Sequence, residues 1–366
     1  MKTRHLPQMF LPWPQAHSAD RVRQACLVRQ AGLSLVELMI AMALGMLILG
    51  AVATLFANNS RVRQETEKTS QQIENGRYAT QALVDDLRLA GYYGEFSPVG
   101  LTTPASVPDP AQADVASLTA AIMLPVQGYD NASGLPSALG TLLADLRSGS
   151  DVLVVRRAST CVAGATGCDA VDTTRNTYFQ TTLCSIQLNN LGAASQILIS
   201  RTASEFSTSN AAVTGSANPP AFLAKKDCAT AADLRTYYTR IYFVADNNQA
   251  SDGIPTLKVA ELGAGSFTIS PLVEGVEQLQ LEYGLDTNND GSPDSYTASP
   301  ADAAAWRQVT AVKIHLLARN TLTSSGFTDT RSYVLGGNTF GPYNDSYKRH
   351  LYTSAVRLNN VAGRLE

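Results

Sequence analysis

The distribution of hydrophobic residues divides the chain into a long apolar run, a more polar helical stretch and a region of short alternating segments. The apolar run covers residues 33–57 and is interrupted by Ser34, Glu37 and Thr54 alone. Its 25 residues exceed the roughly 20 that an α-helix needs to cross the hydrocarbon core of a bilayer. The pattern therefore predicts one membrane-spanning helix.

In residues 58–91 the less polar positions recur at intervals of four and three, which is typical of an amphipathic helix. These positions are Val62, Thr66, Thr69, Ile73, Gly76, Thr80, Leu83, Leu87 and Ala90. Four of the nine are Thr or Gly, which disfavours a coiled-coil seam. We therefore predict that this helix continues the membrane segment, docks on a sheet and ends near Gly91.

From residue 151 onward, short strand-like runs alternate with turn residues rather than with helical patterns. The predicted strands are Asp151–Arg156, Thr177–Leu183, Gln196–Arg201, Tyr237–Ala245, Thr256–Leu262, Gln278–Tyr283, Val309–Ala318 and Leu351–Leu358. Strands joined by turns pair antiparallel. We therefore predict an α+β fold, in which one long N-terminal helix packs on an antiparallel β-rich domain over residues 92–366. Residues 97–150 are rich in Pro, Ala, Ser and Gly and are predicted to be irregular.

Charge is distributed unevenly about the apolar run. Residues 1–32 carry five basic residues and one acidic residue, so the rest of the chain has 23 basic and 30 acidic residues, a net charge of −7. Because only Arg61 and Arg63 closely follow the run, the positive-inside rule places residues 1–32 in the cytoplasm and the body outside it. The acidic body also argues against nucleic acid as the main partner.

The cysteines divide at the same place. Cys26 lies in the basic segment, whereas Cys161, Cys168, Cys184 and Cys228 follow the apolar run. An even set beyond a membrane-length segment predicts disulfides in an oxidising compartment such as a bacterial periplasm, and three pairings are open. We favour Cys161 with Cys168, which closes a short loop, and Cys184 with Cys228, which joins two β-rich stretches.

Glu37 is the unusual residue of the apolar run. A carboxylate in hydrocarbon costs a few kcal/mol, which makes Glu37 a candidate functional residue. In the first turns of a helix, however, the macrodipole favours an acid by about 0.3–1 kcal/mol, so Glu37 alone leaves both interpretations open. A secretory signal peptide would place its cleavage site after a shorter apolar core, whereas Gly32 precedes this one.

The run Gly32-Leu33-Ser34-Leu35-Val36-Glu37, opening an apolar helix, resembles the class III leader of type IV prepilins and pseudopilins. The resemblance implies that a membrane peptidase cleaves after Gly32, removes residues 1–32 and N-methylates Leu33. It also implies that Glu37 neutralises the N-terminal amine of a neighbouring subunit during assembly. The chain departs from the family in having Leu33 where Phe is frequent, and in the length of its leader.

Three C-terminal segments extend the resemblance. Residues 272–284, 311–319 and 349–359, together with the leader, resemble the large minor pilins of the PilW type. This implies a subunit of the inner membrane, later of the pilus, that primes assembly with other minor pilins and the major pilin and lies at or near the fibre tip. Further implied partners are the prepilin peptidase, the inner-membrane assembly platform and a tip adhesin.

Three alternatives stay open at the level of sequence. A minor pseudopilin of a type II secretion system shares the leader and the helix. An adhesin or other binding module displayed at a fibre tip would use the region 97–150 as surface. A signal-anchored membrane protein would never be cleaved at Gly32.

An acidic turn follows the first of the C-terminal segments. Its alternating oxygen-bearing residues are Asp286, Asn288, Asp290, Ser292 and Asp294. With Gly291 at the sixth position, they match the first half of a Ca²⁺ loop. Thr297 stands at the twelfth position, where an EF-hand has Glu, so a shorter calcium loop is the better comparison. A solvated Asn/Asp/Gly turn without metal is the alternative, and no other cofactor is expected.

The sequence shows no catalytic constellation. There is no Gly-x-Ser-x-Gly elbow, no zinc-ligand spacing and no phosphate-binding loop. After cleavage, His315 and His350 would be the remaining histidines. His315 alternates with Ile314 and Leu316, so we predict that it lies on a solvent-exposed face. The sequence therefore predicts a protein that is not an enzyme.

Overall fold

A computed structural model describes residues 34–201, Phe206 and residues 222–364. The chain divides into two compact units, residues 1–60 and residues 61–366. Helix α1 spans Leu35–Leu89 and contributes to both units. Within the first unit, the described chain from Leu35 onward is entirely helical.

In its described part, the second unit adds short helices and strands to the end of α1. The helices are α2 (Val115–Ala121), α3 (Ser137–Leu142), α4 (Ser185–Asn190), α5 (Ala303–Arg307) and α6 (Asn359–Ala362). The strands are β1 (Val126–Tyr129), β2 (Val152–Ala158), β3 (Tyr178–Thr181), β4 (Ile197–Ser200), β5 (Leu234–Ala245), β6 (Thr256–Leu262), β7 (Phe267–Glu274), β8 (Val276–Leu285), β9 (Ser295–Thr297), β10 (Val309–Arg319), β11 (Tyr333–Leu335), β12 (Asn338–Phe340) and β13 (Arg349–Arg357).

The first sheet is antiparallel and is organised around β5. Its strand order is β1-β2-β5-β3-β4, and β6 pairs with both β5 and β7. Residues 234–236 of β5 pair with β3, residues 237–242 with β2 and residues 240–245 with β6. A single long strand thus joins the two ends of this sheet.

The second sheet has the order β13-β10-β8-β9, and its strands are also antiparallel. β10 is flanked on both sides, by β8 and by β13. β11 and β12 form a separate hairpin. The α+β prediction, with one long N-terminal helix and an antiparallel β-rich domain, is confirmed.

The main core lies where the end of α1 meets both sheets. Leu83 and Leu87 of α1 are fully buried in one cluster with Leu153 of β2, Leu281 of β8 and Ile314 of β10. Fully burying such a side chain stabilises a fold by about 1.5–3 kcal/mol. The helix therefore forms part of the domain core rather than lying on its surface.

The C-terminal residues cover the end of α1. Asn360 donates its side-chain amide to the carbonyl of Ala90 at 3.2 Å, and Arg364 donates to the carbonyl of Gly91 at 2.7 Å. Ala90 and Gly91 directly follow Leu89, the last residue of α1, so these side chains hold the chain where it leaves the helix.

The prediction of an irregular region over residues 97–150 is wrong in part, because α2, β1 and α3 form there. Leu118, Ile122 and Leu139 are buried and anchor this region to the domain. The three elements have only seven, four and six residues. Such short elements contain too few turns or alternations to produce a readable period.

Each of the eight predicted strands overlaps an observed strand, while β1, β7, β9, β11 and β12 have no predicted counterpart. The eight-residue β7 is the longest of these, and it exposes several consecutive side chains and contains Pro271. It therefore lacks the alternation of a half-buried strand.

The structure joins Cys161 to Cys168 and Cys184 to Cys228, the pairing that the sequence favours. The Cα atoms of the two pairs lie 5.8 and 4.8 Å apart. The first disulfide closes an exposed loop, whereas Cys184 is buried at the start of α4. Cys26 lies outside the described residues.

Candidate assembly surface

The first part of α1 exposes its apolar side chains. Leu35, Met46, Leu47 and Phe56 are 74%, 72%, 71% and 78% exposed. Among the residues that the structure describes, α1 is the one helix long and apolar enough to cross a membrane. Lipid or other apolar helices are the surroundings that can cover such a surface.

Glu37 lies in the first turn of this apolar part and is exposed. The helix begins immediately before it, since the N–H of Leu38 donates to the carbonyl of Ser34 at 3.0 Å. The carboxylate therefore stands at the end of the helix where N–H groups lack intrahelical partners and the macrodipole is positive. This position can hold an acid, and the carboxylate is open to the surroundings of the helix.

The second part of α1 buries one face. Its buried residues are Gln72, Gly76, Ala79, Leu83, Val84, Asp86 and Leu87. The predicted stripe is right from Gly76 to Ala90 but wrong before it, because Val62 and Ile73 are 62% and 44% exposed. Two members of the buried face are polar, so hydrophobicity alone could not identify them.

A close approach at Gly76 sets the distance between α1 and the second sheet. A Cβ atom at this position would lie 2.1 Å from the Cε2 atom of Tyr352 on β13. The hydroxyl of Tyr352 donates to the carbonyls of Gln72 and Ile73, each at 3.4 Å. Gly76 belongs to the stripe because the tyrosine ring occupies the space of a side chain.

Glu65 fastens α1 to loops that follow β10. Its carboxylate accepts from the Nζ atoms of Lys68 and Lys348, each at 2.8 Å, and from the hydroxyl of Ser324 at 2.6 Å. These hydrogen bonds, that of Lys348 foremost, lower the pKa of Glu65 to about 2. Lys68 also donates to the carbonyl of Thr323 at 2.9 Å.

Asp86 fixes the rotation of α1 against the first sheet. Its Oδ1 atom accepts from Arg157 Nε at 2.7 Å and from Arg240 Nη1 at 3.1 Å, and its Oδ2 atom accepts from the hydroxyl of Tyr242 at 2.9 Å. The Asp86 side chain is only 4% exposed. A buried carboxylate needs such partners, and their positions on β2 and β5 permit one orientation of the helix.

Two family models match the chain. Residues 27–53 match the prokaryotic N-terminal methylation motif, and residues 241–360 match the type IV pilus-assembly protein W family. The two matches together support a type IV pilin of the PilW type. The first match contains Gly32 and Glu37, and the second extends from β5 to α6.

Two other comparisons give less information about the chain. A type IV-like pilin from Thermus thermophilus is similar at 14% identity, over 58% of this chain and 78% of that one, with a TM-score of 0.24. No curated protein sequence matches the chain.

The predicted processing site of this pilin is at Gly32 and Leu33. Both residues, and the predicted leader over 1–32, lie outside the described residues. Cleavage after Gly32 and methylation of Leu33 therefore stay predictions, and they agree with the methylation motif matched over residues 27–53.

The acidic turn of the PilW-type pilin uses its carboxylates to hold its own backbone. Asp286 is fully buried, and its carboxylate accepts from the N–H groups of Asn289, Asp290 and Gly291 at 2.7, 3.2 and 2.8 Å. These are the bonds by which an Asp side chain stabilises a turn.

The other predicted calcium ligands bond to one another. Asn288 donates to Asp290 Oδ2 at 3.1 Å and to Asp294 Oδ1 at 3.2 Å, and the N–H of Ser292 donates to Asp290 Oδ1 at 2.8 Å. Within the described part of the chain, no group of three or more His, Cys, Asp or Glu side chains could hold a metal ion. This geometry fits a self-contained turn, and calcium binding stays a prediction.

The prediction of a solvent-exposed His315 is wrong. Its side chain is 13% exposed, with Nε2 3.0 Å from Glu282 Oε2 and Nδ1 3.4 Å from Thr353 Oγ1. The turn between β11 and β12 approaches the ring at Gly336. His350 is exposed and meets the ring of Tyr352 edge-on, with 4.7 Å between ring centroids.

Arg349 is the centre of a buried ionic cluster that the sequence does not reveal. Its side chain is fully buried and forms two hydrogen bonds with Glu277. It also donates to Asp345 at 2.6 Å and to Asp329 at 3.2 Å, and it stacks 3.6 Å from the ring centroid of Tyr343. Asp345 is four residues from Arg349, but Glu277 and Asp329 are distant in the sequence, so no local motif signals the whole cluster.

Proposed function

We propose that this PilW-type pilin is a minor subunit that waits in the inner membrane through residues 33–57 and is then incorporated at or near the tip of a type IV pilus. There it helps to prime assembly together with other minor pilins and the major pilin. The observation that carries the proposal is the exposed apolar part of α1 with Glu37 in its first turn.

Transfer from membrane to fibre exchanges lipid contacts for contacts with neighbouring helices. Because lipid chains are as apolar as the helix, packing and polar pairing rather than the hydrophobic effect select the assembled position. Glu37 is costly in lipid when it is alone. Beside the N-terminal ammonium group of a neighbouring cleaved subunit it would be neutralised, so incorporation would be favoured in the register that forms this pair.

The distribution of charge and disulfides supports the proposed topology. The basic residues before the apolar run support a cytoplasmic leader, which would give the prepilin peptidase access to Gly32. Two disulfides in the second unit support an oxidising compartment on the other side of the membrane. The match to a pilus-assembly family supports a role in assembly, in which the inner-membrane platform would be a further partner.

The proposal is tested by Glu37→Ala in cells that assemble pili, with Glu67→Ala as the matched control. Glu67 is an exposed acid on the same helix beyond the apolar run. We expect the Glu37→Ala chain to be cleaved normally, as shown by N-terminal sequencing that begins at Leu33. Its content in sheared pili should fall about tenfold or more, which corresponds to about 1.4 kcal/mol.

Glu67→Ala should leave both cleavage and pilus content unchanged. Wild-type content of the Glu37→Ala chain in the fibre would contradict the proposal. A strain that lacks the chain and loses secretion of folded proteins, but keeps normal pili, would favour a secretion pseudopilin instead.

A further inference from the structure

Strand β13 is a long edge of the second sheet. Residues Arg349–Arg357 pair with β10, and the order β13-β10-β8-β9 leaves the other side of β13 without a strand in the described chain. In an antiparallel pair, alternate residues direct their N–H and C=O groups toward the partner and the rest direct them away. β13 therefore carries a row of outward groups along its length.

The register identifies these groups. The N–H of Leu358 donates to the carbonyl of Thr310 at 2.8 Å, so the even-numbered residues of β13 bond to β10 and the odd-numbered ones face outward. Leu351, Thr353 and Ala355 thus present their backbone to the open side. Within the described ranges, no hydrogen-bond partner reaches the N–H or C=O groups of these three residues.

The remaining sheet edges are short or blocked. β1 and β4 have four residues each and β9 has three. β7 has eight residues, and the bond from Gly263 N–H to Ser266 O shows that odd-numbered residues over 267–271, before the bulge in its pairing with β6, face outward. Pro271 occupies one of those outward positions and cannot donate. Proline at an edge blocks the addition of another strand.

β13 has no comparable protection in its centre. Residues 351–356 contain neither proline nor a charged side chain. Thr353 and Ala355, on one face of the strand, are exposed and small. A long, uncharged edge with unpaired backbone groups is a template for pairing with an extended chain.

On the other face, the edge lies beside an accessible surface of α1. Tyr352 packs against Gly76, and the adjoining helix positions Ile73, Arg77 and Tyr78 belong to an open groove of about 510 Å³ that residues of α1 alone line. Ile73 and Tyr78 are 44% and 58% exposed. A strand added to β13 could place apolar side chains toward this groove and small ones on the opposite face, since side chains alternate along a strand.

We propose that β13 is completed by an extended, uncharged strand of a different pilin-class subunit. The inference rests on the proposed function, because it supplies a specific contact between this pilin and another subunit of the assembly complex. A second copy of the chain is the other possible occupant, and the mass of the adduct in the experiment below distinguishes it.

Photo-cross-linking in cells that make the full set of pilin-class subunits tests the contact directly. The full-length chain carries p-benzoylphenylalanine at Ala355 or, as the matched control, at Ile269, which faces outward on the blocked edge β7. We expect an adduct with another pilin-class subunit from position 355 and none from position 269. No adduct at 355, equal adducts at both positions, or an adduct of twice the chain mass would overturn the proposal.

Proline substitution tests whether the edge itself is used. Ala355→Pro removes an outward N–H and no bond to β10, and Ile269→Pro makes the same change on β7. Ala355→Pro should abolish co-purification of the cross-linked subunit, whereas Ile269→Pro should preserve it. If Ala355→Pro is degraded in cells, Ala355→Lys places a charge on the same edge and should cause the same loss.

This outcome is separable from the test of Glu37. If Ala355→Pro retains its partner while Glu37→Ala loses pilus content, the edge proposal fails and the proposed function stands. If neither variant changes incorporation, both fail. Cleavage at Gly32 should be normal in every variant, which shows that each chain has reached the membrane.

Discussion

The two parts of helix α1 differ in where their apolar surface is covered. In residues 35–60, Leu47 and Phe56 are 71% and 78% exposed, whereas Leu83 and Leu87 in residues 61–89 are fully buried against both sheets. Yet the second part is by far the more polar in sequence. The hydrophobicity of a segment shows how much apolar surface has to be buried. The structure shows whether the chain itself buries that surface.

The strongest test of this difference is to remove the carboxylate of Asp86. Asp86→Ala leaves Arg157 and Arg240 without their buried partner, which should cost about 3–5 kcal/mol of unfolding free energy. Chemical denaturation of the detergent-solubilised full-length chain measures it. Asp85→Ala, at a side chain 58% exposed, should cost about 1 kcal/mol or less. Equal losses would mean that the buried pairing does not orient the helix.

Truncating one leucine in each part of α1 compares the two surfaces directly. Leu83→Ala should reduce the unfolding free energy of the second unit by about 2–5 kcal/mol, because it leaves a cavity in the core. Leu47→Ala should change it by less than about 0.5 kcal/mol and should instead lower the amount of chain in pili. Denaturation measures the first effect and immunoblots of sheared fibres measure the second. A large stability loss for Leu47→Ala would refute the distinction.

Alanine substitutions at two glycines, Gly76 and Gly50, test the same comparison with smaller expected losses of stability. Gly76→Ala forces the ring of Tyr352 to move and should destabilise the second unit by about 1–3 kcal/mol. Gly50→Ala, where a Cβ atom would meet no other atom within 4 Å, should leave the thermal midpoint unchanged. The double variant Gly76→Ala/Tyr352→Ala should lose less than the sum of its single variants. Strict additivity would show that the contact is not tight.

We expect low pH to weaken the packing of α1 around Glu65, near the start of residues 61–89. The pKa of Glu65 is about 2 in the folded chain against an ordinary 4.5, so its contribution to stability is present above pH 4.5 and is lost as pH falls from 4.5 toward 2. Over this range the protection factors of α1 amides, which compare exchange with the intrinsic rate at the same pH, should fall in the wild type, and Glu65→Gln should reduce that fall. Glu67→Gln should behave as the wild type does. An unchanged profile for Glu65→Gln would contradict the assignment.

The acidic turn is another place where a partner from outside the chain is predicted, and its effect should be the smallest. Calorimetric titration with Ca²⁺ should give heat at up to millimolar concentration, as in weak extracellular sites. Asp290→Ala should abolish the heat and Asp85→Ala should retain it. No heat from the wild-type chain would mean that the turn is held by its own hydrogen bonds alone.

The features that could be predicted from the sequence are local. The apolar run predicts a helix by its length alone. Strands such as β6 lie at their predicted bounds because alternation and turn residues are also local features of the sequence. The pairing of Cys161 with Cys168 follows from their nearness in the sequence. Each of these depends on residues within a few positions of one another.

What could not be predicted depends on contacts between distant residues. Asp86 meets arginines from β2 and β5, and Arg349 meets acids from three separate segments, so neither produces a pattern along the chain. His315 has the alternation of a surface residue, but the β11–β12 hairpin covers it. The open edge of β13 is also invisible in the sequence, because an edge is defined by the strand order.

The cap on α1 by Asn360 and Arg364 has a consequence for the order of events during synthesis. Synthesis proceeds from the N-terminus, so α1 is made before β10, β13 and the residues that contact its end. The second part of α1 therefore cannot complete its surroundings until residue 364 has been made. Until then α1 lacks part of its core partners, and the second unit cannot complete its folding.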